Sequence, residues 1–367
     1  AVAVAVVVAG YVGYGVAGSA VYDSGVTAQE GGDCATANGK FDTVTGPFEL
    51  TLSGNVGEAA ARRTECDAYE KARAAQKRKD YDAAIAQYND FGKIYPSSVL
   101  SKHVRRDLAD THFARATSWR EPLTPVDVRD SVDTLLMLRR DFAGTTAAKK
   151  APDAITDIFA AATKPFEEGK FCESMPVLAY FADLDPSSAG DKVVTDAVNF
   201  RATALYQCGL SQVKAHDQAA IATLEQFLES YPGDGAVPQA TSALITAKVE
   251  LETGAQLPLP PPLGGNEPGT IPVTFYNDSN SPLTILVAGP TAHQISLPAC
   301  GFCRESYPTG DPAACQDVTG RPGVTLRLTP SAYYFTTDDA EINNEASGSV
   351  TPLVGYEHWQ CVYMTSY

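Results

Sequence analysis

Apolar residues recur with a helical period throughout residues 56–255. Inside this stretch one segment occurs in two similar copies. The first copy is AIAQYNDFGKIYP from Ala84 to Pro96, and the second is AIATLEQFLESYP from Ala220 to Pro232. Two weaker copies keep the same apolar offsets, one from Val132 to Phe142 and one from Met175 to Pro186. A repeat length of roughly 45 residues is typical of stacked helical hairpins, since one hairpin cannot bury its own apolar face. The pattern therefore predicts a solenoid of four helical units.

Capping residues divide this stretch into helices. Thr124 before Pro125 is typical of a helix start, because threonine can accept a free amide hydrogen and proline has none to satisfy. Pro152 marks another expected start. Helix ends are expected at glycines, which often close a helix in the left-handed conformation. These glycines are Gly144, Gly169, Gly209 and Gly233.

The first 22 residues carry no charged side chain and consist mainly of Ala, Val and Gly. A helix of that length can cross the hydrocarbon core of a bilayer, and Ala9, Gly13 and Ala17 form a ridge of small residues suited to membrane packing. We therefore expect a transmembrane anchor at residues 1–22. A signal segment cleaved near Ala20 and a buried soluble segment are the alternatives.

Two connecting segments differ from the helical stretch in composition. Residues 23–55 are rich in Gly, Thr and Ser and are expected to form an irregular extracytoplasmic segment, with a short hairpin from Phe41 to Leu52. Residues 256–269 contain a run of prolines followed by glycines, which is typical of a semi-rigid spacer with a flexible end. This spacer is expected to carry the following domain away from the helices.

Residues 270–367 alternate β-branched and aromatic runs with turn residues. Such a pattern predicts a small β-sandwich or barrel. Its strands are expected at residues 271–276, 283–287, 293–297, 324–328, 333–337 and 359–363. The predicted fold class is therefore α+β multidomain: an N-terminal membrane helix, an α-helical solenoid and a small disulfide-bonded β domain.

The repeated segment resembles the tetratricopeptide-like (TPR or Sel1-type) repeats of periplasmic cell-division coordinators and outer-membrane-assembly lipoproteins. In those repeats an alanine opens the second helix, an aromatic residue follows four positions later, and a proline ends the unit. Ala84, Tyr88 and Pro96 occupy these positions. The resemblance implies a right-handed helical stack whose concave face holds a peptide or a partner helix.

When the first unit is aligned with these repeats, Tyr69, Arg73 and Lys77 fall at positions of the concave face. The resemblance therefore implies that these three residues contact a protein partner. Plain exposure to solvent is the alternative for these three side chains. The sequence also departs from the family, because Lys71 stands where a leucine-like residue is preferred and the two weaker copies lack the opening alanine.

Eight cysteines, an even number, are typical of a disulfide set in an exported protein. Cys172 and Cys208 are expected to pair, because they lie at adjoining ends of consecutive antiparallel helices. Cys34 and Cys66 are expected to tie the irregular segment to the first repeat helix. The four C-terminal cysteines are expected to form two further bridges of open connectivity: Cys300, Cys303, Cys315 and Cys361.

Redox catalysis and zinc binding are two alternative chemistries for the C-terminal cysteines. The Cys300-x-x-Cys303 spacing occurs in thiol-disulfide oxidoreductases, but the sequence after it does not favour the helix that activates such a thiol. A four-thiolate zinc site lacks the second close pair of a zinc ribbon. Acidic residues around Asp338 lack the spacing of a calcium loop. No catalytic, cofactor or metal site is therefore expected, and the chain is expected not to be an enzyme.

The net charge of −16 argues against nucleic acid as a partner, because phosphates require basic side chains. The sequence instead favours a membrane-tethered scaffold of the cell envelope that binds a protein through its repeats. The alternative is an envelope polymer or glycan bound by the β domain, with the repeats as a stalk. Aromatic residues that could stack on sugars are Tyr333, Tyr334, Phe335, Tyr356 and Trp359.

Overall fold

The computed structural model describes residues 2–46, 55–257, 270–304, 307–308, 314–338, 347–352, 358–363 and 365–366. The side chains of residues 2–15 and 365–366 are outside this description. Residues 258–269 of the predicted spacer at 256–269 also lie outside the described residues, as do the second half of the predicted hairpin, the acidic residues after Asp338, and Tyr356.

Helices make up the described chain as far as residue 253, and strands follow. The helices are α1 Val2–Glu30, α2 Cys34–Thr45, α3 Asn55–Lys77, α4 Tyr81–Ile94, α5 Ser101–Ala116, α6 Pro125–Asp141, α7 Thr146–Ala162, α8 Lys164–Glu167, α9 Phe171–Ala182, α10 Pro186–Ala189, α11 Asp191–Lys214, α12 Ala219–Ser230 and α13 Val237–Thr253. The strands are β1 Ile271–Asn277, β2 Leu283–Ala288, β3 Ala292–Leu297, β4 Tyr307–Pro308, β5 Gly323–Leu328, β6 Tyr333–Thr337, β7 Ser347–Val350, β8 His358–Val362 and β9 Thr365–Ser366.

The chain divides into two compact units. Unit 1 comprises residues 1–164 and 180–195, and unit 2 comprises residues 165–179 and 196–367. The four predicted repeat copies lie on α4, α6, α9 and α12. The helical prediction for this stretch is therefore confirmed, and the C-terminal β region is confirmed beside it.

Consecutive helices of unit 1 pack against one another from α1 to α7. The core of α1 to α5 holds the repeat aromatics Tyr88 and Phe91, together with Tyr69 and Phe41. Tyr88 and Phe91 are spaced three positions apart on α4, so both face the same side of that helix. Helical spacing thus explains why they are buried.

The expectation of an irregular segment at residues 23–55 is wrong for its described part. α1 continues to Glu30, and α2 occupies Cys34–Thr45, where the first half of a hairpin was expected. Asp33 caps α2 by accepting a hydrogen bond from the Thr36 amide. The buried residues Cys34, Ala37, Phe41 and Val44 recur at a helical spacing. This spacing outweighs the low helix propensity of the intervening Gly and Thr residues.

The predicted anchor at residues 1–22 lies within α1. Tyr22, at its end, is buried in the core of unit 1. Among the described residues, no helix combines the length and the apolar character needed to cross a membrane.

Three predicted helix boundaries have different outcomes. The start at Thr124 is confirmed, because its side chain and that of Asp127 form a reciprocal capping box. Pro152 instead lies inside α7, which begins after a cap at Thr145. Gly209 lies inside α11, where a Cβ atom would come within 2.5 Å of Leu224. Glycine is therefore required there for close helix packing rather than for a helix end.

Among the described residues, the β region of unit 2 has two larger sheets that face each other across an apolar core, and a short sheet that pairs β4 with β9. One sheet has the strand order β5-β1-β8 and the other has the order β3-β2-β6-β7. Phe275 of the first sheet and Phe335 of the second meet edge to face, with ring centroids 5.6 Å apart. β1 pairs antiparallel with β5 and parallel with β8. The predicted sandwich of small sheets is therefore present.

The last helix of unit 2 packs on this sandwich. Ile245 and Val249 of α13 form one buried cluster with Leu286, Ala288 and Ala292 of the four-stranded sheet. The expectation that the spacer carries the β domain away from the helices is therefore wrong for α13. The reason is that α13 has a second apolar face, which is covered by the sheet.

Candidate functional site

The three predicted partner-binding residues have different surroundings on α3. Tyr69 is 1% exposed and packs against Tyr88, with ring centroids 6.3 Å apart. Arg73 is half-buried and pairs with Glu70, while Lys77 is exposed at the end of the helix. The partner-binding prediction is therefore wrong for Tyr69, because a side chain in the core cannot reach a partner.

Tyr69 instead belongs to a buried polar network between α3 and α5. Its hydroxyl donates a hydrogen bond to Asp107 over 2.6 Å, and Arg106 pairs with the same carboxylate at 2.7 Å. Burial raises the pKa of Tyr69, and the hydrogen bond to Asp107 raises it further. Burial also raises the pKa of Tyr88, with the charge of Asp107 adding to the effect. Both phenols therefore stay protonated, and this network serves the structure.

An open cleft of about 330 Å³ lies beside the first repeat copy, between α4, α5 and the end of α6. We call it the repeat cleft. Its floor is apolar and consists of Tyr88, Phe91, Val104 and Leu108, which are buried in unit 1.

The rim of the repeat cleft is polar and carries a positive charge. It includes Asn89, Ser101 and Arg105. The Arg105 guanidinium lies 5.1 Å from the centre of the Phe142 ring and donates a hydrogen bond to the Asp141 carbonyl. Stacking and hydrogen bonding together hold the cation at the cleft edge.

A histidine adjoins this rim. The ring of His112 lies 6.0 Å from that of Phe142. Burial lowers the pKa of His112, and the charge of Arg115 lowers it further, so the ring is neutral at neutral pH. Arg105 therefore supplies the positive charge of the described cleft rim.

A glycine gives the cleft its open side. Gly92 on α4 lines the cleft, and a Cβ atom there would meet no other heavy atom within 4 Å. The cleft can therefore take a side chain from another molecule. Gly92, Arg105 and Phe142 were missed by sequence reasoning, because the cleft forms only where three helices meet. The available signal was a glycine inside the repeated segment.

Two of the four disulfides connect helices. Cys34 of α2 bonds to Cys66 of α3, and Cys172 of α9 bonds to Cys208 of α11, so both predicted pairings are confirmed. The two cysteines of each bond lie in the same unit.

The other two disulfides lie in the β region. Cys300 bonds to Cys303, and Cys315 bonds to Cys361, which resolves the connectivity that the sequence left open. All eight cysteines are thus paired. The zinc alternative does not fit this arrangement, because a four-thiolate site needs four free thiolates.

A buried ion pair accompanies the Cys315–Cys361 bond. The Asp278 carboxylate is fully buried and accepts hydrogen bonds from Arg321 at 2.7 Å, from the Cys315 amide at 2.7 Å and from the Tyr307 hydroxyl at 3.1 Å. Asp278 and the two sulfurs also lie close enough together to hold a metal ion. The disulfide and the three donors already satisfy these groups, so the arrangement stabilises the loop.

The aromatic residues predicted to stack on sugars are divided between core and surface. Tyr333 and Phe335 are buried between the sheets, and Tyr334 packs against the cluster that contains α13. Trp359 is 52% exposed. Of the described members of this set, only Trp359 is largely available to a ligand.

The helix pairs that hold these residues match a known family. The tetratricopeptide repeat model matches residues 68–98, which include the end of α3 and all of α4, and residues 203–234, which include the end of α11 and all of α12. This chain is a tetratricopeptide-like repeat protein. The matches do not extend to the cell-division coordinators or the assembly lipoproteins in particular. No curated protein matches the chain.

Proposed function

We propose that this chain is a non-catalytic scaffold that lies outside the cytoplasm, is tethered to a membrane of the cell envelope by residues 1–22, and binds a protein partner through its repeats. Tetratricopeptide-like helix pairs generally mediate protein–protein interaction, because their stacking leaves extended surfaces for a partner. The observation that carries the proposal is the open repeat cleft beside the matched helix pair at residues 68–98.

The chemistry of the cleft suggests how a partner is held. An apolar side chain of the partner would contact Phe91 and Leu108 on the floor, and burying it would favour binding. A carboxylate beside it would pair with Arg105 at the rim, where the guanidinium is already positioned by Phe142. The expected partner segment therefore combines an apolar anchor with an acidic residue.

Two features support the location. All eight cysteines are paired, and disulfides persist mainly in oxidising compartments. Residues 1–17, which precede the part of α1 that is packed in unit 1, are uncharged and reach the lower end of the length range of membrane-spanning helices.

A crosslinking experiment on intact cells tests both parts of the proposal. The full chain would be compared with Gly92→Leu, which fills the cleft, and with the control Gly39→Leu on α2. Both glycines are exposed on helices, and a Cβ at either position meets no heavy atom within 4 Å. Leucine favours a helix more than glycine does, so both variants should fold.

With a membrane-impermeant crosslinker, the wild type and Gly39→Leu should give one discrete adduct in the membrane fraction. Gly92→Leu should lose at least about nine tenths of that adduct, a change of roughly 1.4 kcal/mol or more in binding free energy. Equal capture by all three chains would refute the cleft as the binding site. An adduct formed only with a permeant crosslinker would instead refute the location.

A further inference from the structure

The three-stranded sheet has an outward face opposite the core of the sandwich. Side chains alternate along a strand, and Val273 and Phe275 of β1 are buried in the core, so Thr274 and Tyr276 lie on the outward face. The strand register brings Thr325 of β5 beside Thr274 on one side and Trp359 of β8 beside it on the other.

Two aromatic residues lie on this face. Trp359 is 52% exposed, which is unusual for a large apolar side chain held within a strand. Tyr276 lies across Gly323 on the neighbouring strand, where a Cβ atom would come within 2.7 Å of the ring. Glycine at 323 therefore lets the ring lie against the sheet.

The polar groups of this face are hydroxyls and one cation. The hydroxyls of Thr274 and Thr325 lie 2.8 Å apart at an exposed position. Arg327 lies opposite Pro272, one row along the same face, and in the described part of the chain it forms no ion pair. No outward position of these three strands carries a carboxylate, although the chain as a whole has a net charge of −16.

The edge strand that carries Trp359 is anchored covalently. Cys361, two residues further along β8, is bonded to Cys315, and the adjoining loop is held by the buried Asp278–Arg321 ion pair. A ligand that stacks on Trp359 would therefore find a preformed surface, with little conformational entropy to lose on binding.

We propose that the Trp359 face, defined by Trp359, Tyr276, Thr274, Thr325 and Arg327, binds the pyranose rings of a polysaccharide chain. The face of an aromatic ring carries partial negative charge and attracts the C–H groups on one side of a sugar ring. Threonine hydroxyls and the Arg327 guanidinium match the hydroxyls at the edges of the sugar.

A protein partner fits this face less well. Stable protein interfaces bury roughly 800 Å² on each partner around an apolar centre. The aliphatic side chains of these strands point mainly into the sandwich, and Pro272 is the one aliphatic side chain among the outward positions. The isolated aromatic rings among hydroxyls therefore favour a sugar.

The test is affinity electrophoresis of the full chain in gels that contain a soluble polysaccharide, with neutral glucans and mannans in one arm and uronic-acid polymers in the other. The variants are Trp359→Ala and Trp359→Phe. Phe302→Ala is the matched control, since Phe302 is an aromatic residue that is 69% exposed on the loop closed by Cys300–Cys303. Hydrogen exchange of unit 2 checks that each variant folds.

At least one polysaccharide should retard the wild type. Trp359→Ala should weaken that retardation about tenfold or more, Trp359→Phe should keep most of it, and Phe302→Ala should leave it unchanged. Retardation in the uronic arm alone would support the proposal with an anionic polysaccharide as the ligand. Absence of retardation in both arms, or equal retardation of the wild type and a folded Trp359→Ala, would overturn the proposal. Gly92→Leu should bind polysaccharide normally, which separates this test from that of the repeat cleft.

Discussion

The hydroxyl of Tyr69 contributes to the stability of unit 1 through a single strong contact. It donates to the Asp107 carboxylate, whose side chain is 11% exposed and also pairs with Arg106. A buried carboxylate that loses a donor keeps its desolvation cost, so removing the donor costs more than the net value of an ordinary hydrogen bond.

Tyr69→Phe should therefore destabilise unit 1 by about 1–3 kcal/mol. Hydrogen exchange across α3 and α5 would measure the loss. Tyr95→Phe is the control, because Tyr95 packs against Phe91 but its hydroxyl forms no hydrogen bond within the described chain. If both variants matched the wild type, the Tyr69 hydroxyl would not contribute to stability.

At the residue scale, the sequence located the buried aromatics better than the exposed ones. Tyr88 and Phe91 lie three positions apart in the repeated segment, a spacing that predicts one shared apolar helix face, and both are buried. Tyr69 was assigned to a surface from family register alone, and it is also buried. The alignment with the repeat family gives the wrong environment for Tyr69 because Asp107, on a different helix, accepts a hydrogen bond from its hydroxyl inside the core.

At the scale of elements, α1 and α2 form a helical hairpin against the first matched repeat. The Tyr22 hydroxyl of α1 donates to Glu58 of α3 over 2.6 Å, and Gln29 accepts a hydrogen bond from Arg62 over 3.0 Å. α2 is joined to α3 by the Cys34–Cys66 bond. The segment expected to be irregular therefore continues the packing of the repeats.

Opening Cys34–Cys66 by a double serine substitution should destabilise unit 1 by about 3–4 kcal/mol, because the bond closes a long loop in the unfolded chain. The matched control is the Cys172–Cys208 pair, whose sequence separation of 36 is close to the 32 of the first pair. Protection of the α2 amides from hydrogen exchange should fall in the Cys34–Cys66 variant and should not change in the Cys172–Cys208 variant. Equal protection of α2 in both variants would contradict this prediction.

At the scale of the whole molecule, the fold of unit 2 is built from helices and strands together. Leu286 of β2 is 2% exposed and lies in one cluster with Val249 of α13. Lys248 of α13 also pairs with Asp338, just after β6, at 3.4 Å. The repeats of unit 2 are therefore continuous with the sandwich through α13.

Leu286→Ala should cost about 2–5 kcal/mol, because it leaves a cavity between the sheet and α13. Hydrogen exchange should show lower protection in α13 as well as in β2, since both bury the same cluster. Leu251→Ala is the control, because Leu251 is 45% exposed on α13 and should cost well under 1 kcal/mol. Loss of protection confined to the strands would show that α13 and the sandwich are separate cooperative units.

Most of the local structure follows from the amino-acid sequence alone. The helical period, the Thr124 cap, the six main strands and two of the disulfide pairings were all predictable, because each depends on residues close in the chain or on the order of consecutive helices. Four features follow instead from the three-dimensional packing: the C-terminal disulfide connectivity, the burial of Tyr69, the repeat cleft and the contact of α13 with the sheet. These features depend on which faces of distant elements meet, and a hydrophobic pattern marks a face as buried without specifying the surface that covers it.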